Sequence, residues 1–303
     1  MPDSQHVADG YEIPNATKAT FDECYRSPTP ANYFAEMSRV GYEIGDQANP
    51  YFSAAAGMMQ RDLGDDLPVM GLDLGCSYGI GAALLNHLLS FSEMNCFFSE
   101  LAAPSYAAYV DATREWLSRN RNPDTVNYLG IDSSGEAIRF AEDAGLIDSG
   151  IARNLEDPGE KLTPEEADSI RRCNFLTSTG AIGYVGERTL SILLENLGRS
   201  APSSQGPYIV VTILRMFDPA PITATFERFG YRFEAMKGIR LRQRRFESPA
   251  ERNGTLRLLE ERGVDTRGWE SKGFHYADLF AAAPPRDFPK LKRCLLETKA
   301  AIG

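Results

Sequence analysis

The chain has 303 residues, of which 43% are hydrophobic, and it carries a net charge of −10. This length indicates one large domain, or one domain with additions, that buries a full core. No apolar run approaches the roughly 20 residues that cross a membrane. Nucleic-acid binders usually show a basic stripe, which this acidic chain does not have. We therefore expect a soluble protein whose partner is a small molecule, with neither nucleic acid nor membrane as a partner.

The one basic cluster, at 240–245, is interpreted as a strand whose arginines are solvated or ion-paired. Residues 1–20 contain no basic segment followed by an apolar one, so no signal peptide is expected. The cysteines are widely spaced and form no C-x-x-C pair, which indicates free thiols in a cytoplasmic protein. The three histidines lie far apart in the sequence, so no metal site is predicted. A packing or hydrogen-bonding role is expected for His275.

Residues 1–65 are predicted to form a helical N-terminal cap that is rich in aromatic side chains and includes a helix at 31–40. A strand at 69–73 begins the next unit. A long insertion follows at 87–123, and its apolar spacing indicates at least one amphipathic helix. Insertions of this length usually form a cap or an interface. Closure over a site and homodimerisation are therefore both left open.

Strands and helices alternate along the rest of the chain. Further strands are predicted at 126–132, 146–154, 174–178, 208–214, 239–246 and 274–281, and helices at 135–144, 163–171, 187–197, 222–229 and 249–261. This alternation predicts an α/β fold with a doubly wound, mostly parallel sheet and helices on both of its faces. The sheet domain is expected to span 66–283, with a C-terminal tail helix at 284–303.

A strand, a glycine-rich turn and an apolar helix follow one another at 70–86. The turn contains Gly75, Gly79 and Gly81, and the helix is expected at 82–89. Glycine lets the backbone approach a ligand closely, and the first N–H groups of a helix point toward that ligand. The glycine spacing differs from the dinucleotide fingerprint G-x-G-x-x-G. The segment predicts a nucleotide-binding corner, with a plain tight turn as the alternative.

The segment Leu72-Asp-Leu-Gly-Cys-Ser-Tyr-Gly79 resembles motif I of class I S-adenosylmethionine (SAM)-dependent methyltransferases, with Ser77 where that family most often has glycine. The resemblance covers about residues 66–283. It implies SAM as cosubstrate and a seven-stranded sheet whose last strand is antiparallel. The residues implied to bind SAM are Asp73, Gly75, Cys76, Ser77, Tyr78, Gly79, Gly81, Asp132, Ser133, Asn154, Leu155, Thr179 and Gly180.

The resemblance also implies separate roles within this set. Asp132 would accept hydrogen bonds from the ribose hydroxyls, as an acidic residue does after the loop of nucleotide-binding α/β units. Asn154 would touch the adenine, and Tyr78 would pack against the methionine part. A solvated loop carboxylate is the favoured interpretation of Glu156.

Two tyrosines are candidate catalytic residues, because aromatic faces attract a cation such as the sulfonium of SAM. Tyr184 lies in a glycine-rich turn after the fourth predicted strand, and Tyr33 lies in the aromatic-rich N-terminal helix. No Asn-Pro-Pro-Tyr follows the fourth strand, which disfavours methylation of nucleobase or glutamine amines.

Several segments resemble stand-alone methyltransferase-like proteins of bacterial natural-product pathways, a group that includes azetidine-2-carboxylate synthases. They are Tyr33-Phe34, 72–79, 178–185, 214–217 and 243–246. The first hypothesis is methyl transfer to a small molecule of secondary metabolism. The second is intramolecular cleavage of SAM into azetidine-2-carboxylate and methylthioadenosine. The third is a protein that binds SAM without catalysis.

Overall fold

A seven-stranded mixed sheet forms the centre of the molecule. The structure is a computed structural model that describes residues 16–19, 21–199 and 206–302. The strands are β1 Met70–Leu74, β2 Asn127–Asp132, β3 Ser149–Ala152, β4 Phe175–Ile182, β5 Tyr208–Leu214, β6 Arg232–Arg245 and β7 Phe274–Ala283. Their order is β3-β2-β1-β4-β5-β7-β6, and β7 runs antiparallel to both of its neighbours. The predicted fold class and the antiparallel last strand are confirmed.

Helices cover the sheet and connect its strands. They are α1 Asp22–Tyr25, α2 Ala31–Arg39, α3 Ile44–Leu63, α4 Ile80–Asn86, α5 Phe91–Glu100, α6 Tyr106–Arg119, α7 Gly135–Asp143, α8 Pro164–Arg172, α9 Glu187–Asn196, α10 Ala220–Arg228, α11 Pro249–Glu261 and α12 Phe288–Ile302. None of them, within the described ranges, is long and apolar enough to cross a membrane. Strand β5 is buried at every position, because it lies in the interior of the sheet and helices cover both faces of the sheet there.

Two strands are longer than the sequence predicts, and glycines at positive φ explain both errors. Gly180 has φ +77° and lies where the pairing of β4 with β5 shifts register, so β4 continues to Ile182 instead of ending at 178. Gly238 has φ +76° and lies in a similar irregularity of β6, which begins at Arg232 and not at 239. A bulge lets one strand continue through a glycine that the sequence pattern presents as a break.

The insertion packs against the N-terminal helices. It forms two helices, α5 and α6, and α5 begins with a capping box between Ser90 and Glu93. The ring of Phe34 on α2 stacks on Phe98 of α5 at a centroid distance of 4.9 Å and lies 5.1 Å from Phe91. These contacts join the insertion to the N-terminal cap within one chain. The homodimer stays a prediction.

The basic cluster lies on the second half of β6, and three of its four arginines form ion pairs, as the sequence indicates. Arg240 pairs with Asp278 at 3.0 Å, Arg242 pairs with Glu43 of the N-terminal cap, and Arg244 pairs with Glu251. Arg245 donates a hydrogen bond to the carbonyl oxygen of Arg39. These contacts join β6 to its neighbours.

Candidate functional site

A cavity of about 790 Å³ opens at the carboxyl ends of β1, β2 and β4. In a doubly wound sheet this edge is where ligands bind, beside the strand from which the chain order reverses. Both candidate catalytic tyrosines line the cavity. All but two of the predicted SAM-binding residues line it as well: Asp73, Gly75, Cys76, Ser77, Gly81, Asp132, Ser133, Asn154, Leu155, Thr179 and Gly180.

The glycine-rich turn requires its glycines for steric reasons. Gly75 has φ +71°, and a Cβ on it would lie 2.3 Å from the Cβ of Ala181. A Cβ on Gly81 would lie 2.8 Å from Oδ2 of Asp73. Side chains at these positions would collide with Ala181 of β4 and Asp73 of β1. The glycines therefore allow the turn to pack closely against the ends of these two strands.

Replacement of Gly75 by alanine should destabilise the fold by roughly 2–4 kcal/mol, because it combines an unfavourable backbone conformation with overpacking against Ala181. Urea unfolding of Gly75→Ala measures this loss. The matched control is Gly145→Ala, since Gly145 has φ +75° but no atom within 4 Å of the added Cβ. The control carries only the backbone penalty, so equal losses in the two variants would contradict the steric argument.

Ser77 holds a backbone conformation that glycine normally adopts. Its φ is +52°, which makes it the one described non-glycine residue with positive φ. Its hydroxyl Oγ is buried and has no hydrogen-bond partner among the described residues. A buried hydroxyl without a partner is costly unless a ligand supplies the missing hydrogen bond. Ser77 thus offers both a close backbone and a free hydroxyl to the cavity.

Asp132 fixes the turn to the end of β2. Its Oδ2 accepts a hydrogen bond from the N–H of Ser77 at 2.8 Å, and its Oδ1 accepts one from the N–H of Ser134 at 2.9 Å. Burial raises the pKa of Asp132, while these backbone hydrogen bonds oppose the rise. An ionised carboxylate has about four acceptor sites, so it retains acceptor capacity for a diol. Helix α7 is capped by Ser134 and not by Asp132.

Asp73 is the buried carboxyl group at the end of β1. It is 3% exposed, and its Oδ1 accepts a hydrogen bond from Thr177 Oγ1 at 3.3 Å. Burial raises the pKa of Asp73 to about 7. At neutral pH, Asp73 is therefore partly protonated and partly ionised, whereas a solvated aspartate is ionised.

The loop after β3 is held by Glu156. Asn154 Oδ1 accepts a hydrogen bond from the N–H of Glu156, and Glu156 Oε1 accepts hydrogen bonds from the N–H groups of Gly186 and Thr189 at 2.9 and 3.1 Å. The carboxylate thus caps the N-terminus of α9, which has no cap side chain of its own. The interpretation of Glu156 as a solvated loop carboxylate was wrong, because its partner lies 30 residues further along the chain.

Tyr78 and Gly79 do not line the cavity, and this corrects their predicted roles. The ring of Tyr78 is fully buried, and its hydroxyl lies within hydrogen-bond distance of the carbonyl oxygens of Cys24 and Ser27, at 2.9 and 2.8 Å. Tyr78 thus connects the N-terminal segment to the glycine-rich turn through these hydrogen bonds. Gly79 is the N-cap of α4, and a Cβ on it would lie 2.9 Å from Cβ of Leu146.

The N-terminal segment, residues 16–19 and 21–30, covers part of the cavity. Ser134 Oγ donates a hydrogen bond to the carbonyl oxygen of Tyr25 at 2.6 Å. The N–H of Ala19 donates one to Glu251 Oε1 at 2.8 Å. Together with Tyr78, these bonds attach the segment to three separate parts of the sheet domain.

Three tyrosines of the N-terminal cap face the cavity: Tyr25, Tyr33 and Tyr42. The rings of Tyr25 and Tyr33 lie 5.5 Å apart. Burial raises the pKa of all three tyrosines. They therefore stay protonated at neutral pH and offer neutral hydroxyls and ring faces to a ligand.

Tyr184 stands on a tight turn after β4. The N–H groups of Tyr184 and Val185 both donate to the carbonyl oxygen of Ala181, and Gly183 at φ +113° packs directly on the ring of Phe217. This packing directs Tyr184 toward the cavity. The ammonium of Lys18 lies 4.7 Å from the centroid of the Tyr184 ring. The ring therefore faces a cation in this structure.

A buried ionic cluster behind the cavity was missed by sequence reasoning. Arg244, Glu251 and His275 are each at most 3% exposed. Arg244 donates to both carboxylate oxygens of Glu251 at 2.6 and 3.0 Å, and His275 Nε2 lies 3.2 Å from Glu251 Oε1. Burial raises the pKa of Glu251, but the adjacent His275 ring and the hydrogen bonds from Arg244 outweigh it and hold the pKa below its usual range. Burial lowers the pKa of His275 to about 4, so this ring is neutral at pH 7.

The described residues contain no cluster of histidine, cysteine, aspartate and glutamate that could hold a metal ion. Their cysteines, including Cys76 in the turn, carry free thiols. Burial raises the pKa of Cys76 well above its ordinary value, so this thiol stays protonated. The polar groups that line the cavity are carboxylates, hydroxyls, amides, guanidinium groups and the ammonium of Lys18.

No protein-family model and no curated protein sequence matches this chain. Among solved structures it is similar to magnesium protoporphyrin IX methyltransferase from Synechocystis PCC 6803 with bound SAM (11% identity, 89% of this chain and 94% of that chain, TM-score 0.41). It is also similar to a TehB-like SAM-dependent methyltransferase from Corynebacterium glutamicum (14% identity, 75% and 86%, TM-score 0.35). A third is a SAM-dependent methyltransferase from Geobacter sulfurreducens in complex with S-adenosylhomocysteine (16% identity, 78% and 92%, TM-score 0.31). At these scores the likeness concerns general architecture, and the fold assignment rests on the sheet order itself.

Proposed function

We propose that this protein binds SAM in the cavity and transfers its methyl group to a small nucleophile of secondary metabolism. The observation that carries the proposal is the convergence of the predicted residues on one cavity. The glycine-rich turn, Asp132 and the loop after β3 line the cavity on the side of the sheet. Tyr33 of the N-terminal cap and Tyr184 of the turn after β4 also line it.

The residues present fit SAM in each of its parts. Asp132 has the acceptor capacity for two ribose hydroxyls, and the loop at Asn154 and Leu155 would border the adenine. The buried hydroxyl of Ser77, which has no partner among the described residues, faces the same cavity and can form a further hydrogen bond to the ligand. The ring of Tyr184 supplies a face for the sulfonium, since it already lies against an ammonium.

Bound SAM supplies an electrophilic methyl group. The chain would contribute by holding an acceptor in line with that group and by excluding water, which lowers the barrier through proximity and orientation. The cap tyrosines are neutral and cannot act as bases at pH 7. We take the acceptor to be already nucleophilic, such as an unprotonated amine or a thiolate, because methyl transfer to such a group needs no base.

Intramolecular cleavage of SAM is the second candidate, and the chain's own N-terminal segment over the cavity favours it. In this reaction the amine of the aminobutyrate arm, after loss of a proton, attacks the γ-carbon. The bond between that carbon and sulfur breaks, and its electron pair stays on sulfur. The products are azetidine-2-carboxylate and methylthioadenosine. Such a reaction needs a closed site and no acceptor.

Incubation of the purified protein with SAM alone, followed by product analysis, separates the hypotheses. Methylthioadenosine formed without an acceptor would support cyclisation and contradict methyl transfer. S-adenosylhomocysteine formed only after small amines or thiols are added would support methyl transfer. Tight binding with unchanged SAM under both conditions would favour a protein that binds SAM without catalysis.

Replacement of Tyr184 by leucine should lower turnover by about 2- to 30-fold, because it removes a cation–π contact of about 0.5–2 kcal/mol. Tyr184→Phe is the matched control, since it keeps the ring and removes only the hydroxyl. Steady-state rates with SAM and thermal unfolding of both variants check the prediction. Wild-type turnover in Tyr184→Leu would remove Tyr184 from the proposed mechanism.

A further inference from the structure

Lys18 is a buried cation with which no carboxylate of the described residues is in contact. Its side chain lines the cavity and is 8% exposed. Two other cationic side chains that line the cavity have carboxylate partners: the buried Arg244 pairs with Glu251, and the partly exposed Arg153 pairs with Glu160 and Glu166. Within the described ranges, the contact of the Lys18 ammonium is the ring of Tyr184. A buried ammonium without a counter-ion is unfavourable, so this position suits an anionic group of a ligand.

Gln243 is a second buried polar group of the same cavity that has no partner. It is 4% exposed and lines the cavity, and its Oε1 accepts no hydrogen bond from the described residues. Its Nε2 lies 2.9 Å from the place where a Cβ on Gly180 would stand. The terminal torsion of a glutamine side chain is soft, so the amide can turn its oxygen toward a ligand.

The two groups lie on either side of one short turn. Gln243 lies against Gly180, at the start of the segment 180–184, and Lys18 lies against Tyr184, at its end. Lys18 comes from the N-terminal segment and Gln243 comes from β6, so neither belongs to the glycine-rich turn or to the ends of β2 and β3. They therefore form a polar wall of the cavity that is separate from the predicted ribose and adenine contacts.

We propose that Lys18 and Gln243 form a subsite for an α-amino acid group. The Lys18 ammonium binds its carboxylate, and Gln243 Oε1 accepts a hydrogen bond from its amino group. A simple anion would leave the Gln243 oxygen without a partner, whereas an amino acid satisfies both groups. This proposal rests on the proposed function. The amino acid group belongs to the arm of SAM itself or to a separate amino-acid substrate.

A carboxylate bound to Lys18 would also reduce the charge repulsion within the cavity. The sulfonium and the Lys18 ammonium would otherwise meet at the same ring, that of Tyr184, and like charges repel. A carboxylate bound to Lys18 neutralises the ammonium and draws it away from the ring. The subsite therefore makes binding of the amino acid group and binding of the sulfonium mutually supportive.

Calorimetric titration of Lys18→Met and Gln243→Leu with two probes tests the subsite. S-adenosylhomocysteine carries the amino-acid arm, and methylthioadenosine lacks it. If the arm occupies the subsite, Lys18→Met should bind S-adenosylhomocysteine about 10- to 100-fold more weakly, because a charged hydrogen bond is lost, and should bind methylthioadenosine as the wild type does. Gln243→Leu should show the same selectivity with a smaller loss. The matched control is Lys237→Met, which removes an exposed lysine of β6.

A second arm of the experiment detects a separate amino acid. Each common L-amino acid is added with SAM, and formation of S-adenosylhomocysteine is followed. Unchanged binding of both probes by Lys18→Met, together with loss of amino-acid-dependent product, would also support the subsite. Equal weakening of both probes would overturn it, because Lys18 would then only shape the cavity. Wild-type binding of both probes and wild-type turnover in both variants would also overturn the subsite. If the wild type bound no S-adenosylhomocysteine, the proposed function would fail first, and the subsite with it.

Discussion

The Asp132→Asn variant is expected to bind SAM at least about 100-fold more weakly than the wild type, because two charge-assisted hydrogen bonds to the ribose contribute about 1.5–3 kcal/mol each. Asparagine keeps one acceptor oxygen, so it can still bond to the N–H of Ser77 or of Ser134. It loses the negative charge and the second oxygen, on which recognition of a diol depends. Calorimetric titration with SAM measures the loss.

Asp148→Asn is the matched control for this prediction. Asp148 also accepts a backbone hydrogen bond beside β2, from the N–H of Tyr128 at 2.7 Å, but it is exposed and does not line the cavity. SAM affinity should be unchanged in this control. Unchanged affinity in Asp132→Asn would mean that the ribose lies elsewhere. A comparable loss in both variants would mean that the effect is structural.

The Glu251→Ala variant is expected to lose about 3–5 kcal/mol of unfolding free energy, because removal of one partner leaves a buried charge uncompensated. Arg244 would lose both of its hydrogen bonds to the carboxylate. The N–H of Ala19 would lose its acceptor as well, so the N-terminal segment would be less firmly attached to α11. Urea unfolding measures the first effect, and SAM affinity reports the second.

Glu247→Ala is the matched control, since Glu247 pairs with Arg39 at the surface, where the two side chains are 31% and 50% exposed. An exposed ion pair contributes about 0–1 kcal/mol. The two glutamates are four residues apart, so the comparison isolates burial. Equal losses in the two variants would contradict the role assigned to the buried cluster.

The glycine-rich corner could be predicted because its determinants are local. A strand, a turn with fixed glycine positions and a helix follow one another within about twenty residues, and the close contact of Gly81 with Asp73 lies within that unit. The end of β2 at Asp132, and the position of Asn154 just after β3, followed from the alternation of strands and helices, since parallel strands end at the same edge of the sheet. Short-range sequence patterns were therefore sufficient to predict the fold and the residues that line the cavity at the carboxyl ends of the strands.

The direction of a side chain next to the turn could not be predicted in the same way. Ser77 and Tyr78 are adjacent, yet Ser77 faces the cavity and Tyr78 is buried beneath the N-terminal segment. The positive φ of Ser77 changes the course of the backbone at this point. Nothing in the residue types at these two positions reveals that change.

The opposite side of the cavity depends on contacts between distant parts of the chain. Glu251 and the N–H of Ala19 are separated by 232 residues, and both lie in segments without a recognisable motif. Lys18 and Gln243 meet the turn at 180–184 only because β6 and the N-terminal segment converge on it. A sequence pattern indicates which residues are buried, but not which distant residues become neighbours.

Calorimetric titration of the wild-type chain with SAM tests the central claim most directly. The convergence of the glycine-rich turn, Asp132 and Tyr184 on one cavity predicts saturable binding of one SAM molecule per chain, and loss of that binding in Asp132→Asn. A wild-type titration without saturable heat, under conditions in which the protein is folded, would contradict the claim that this cavity is a SAM site.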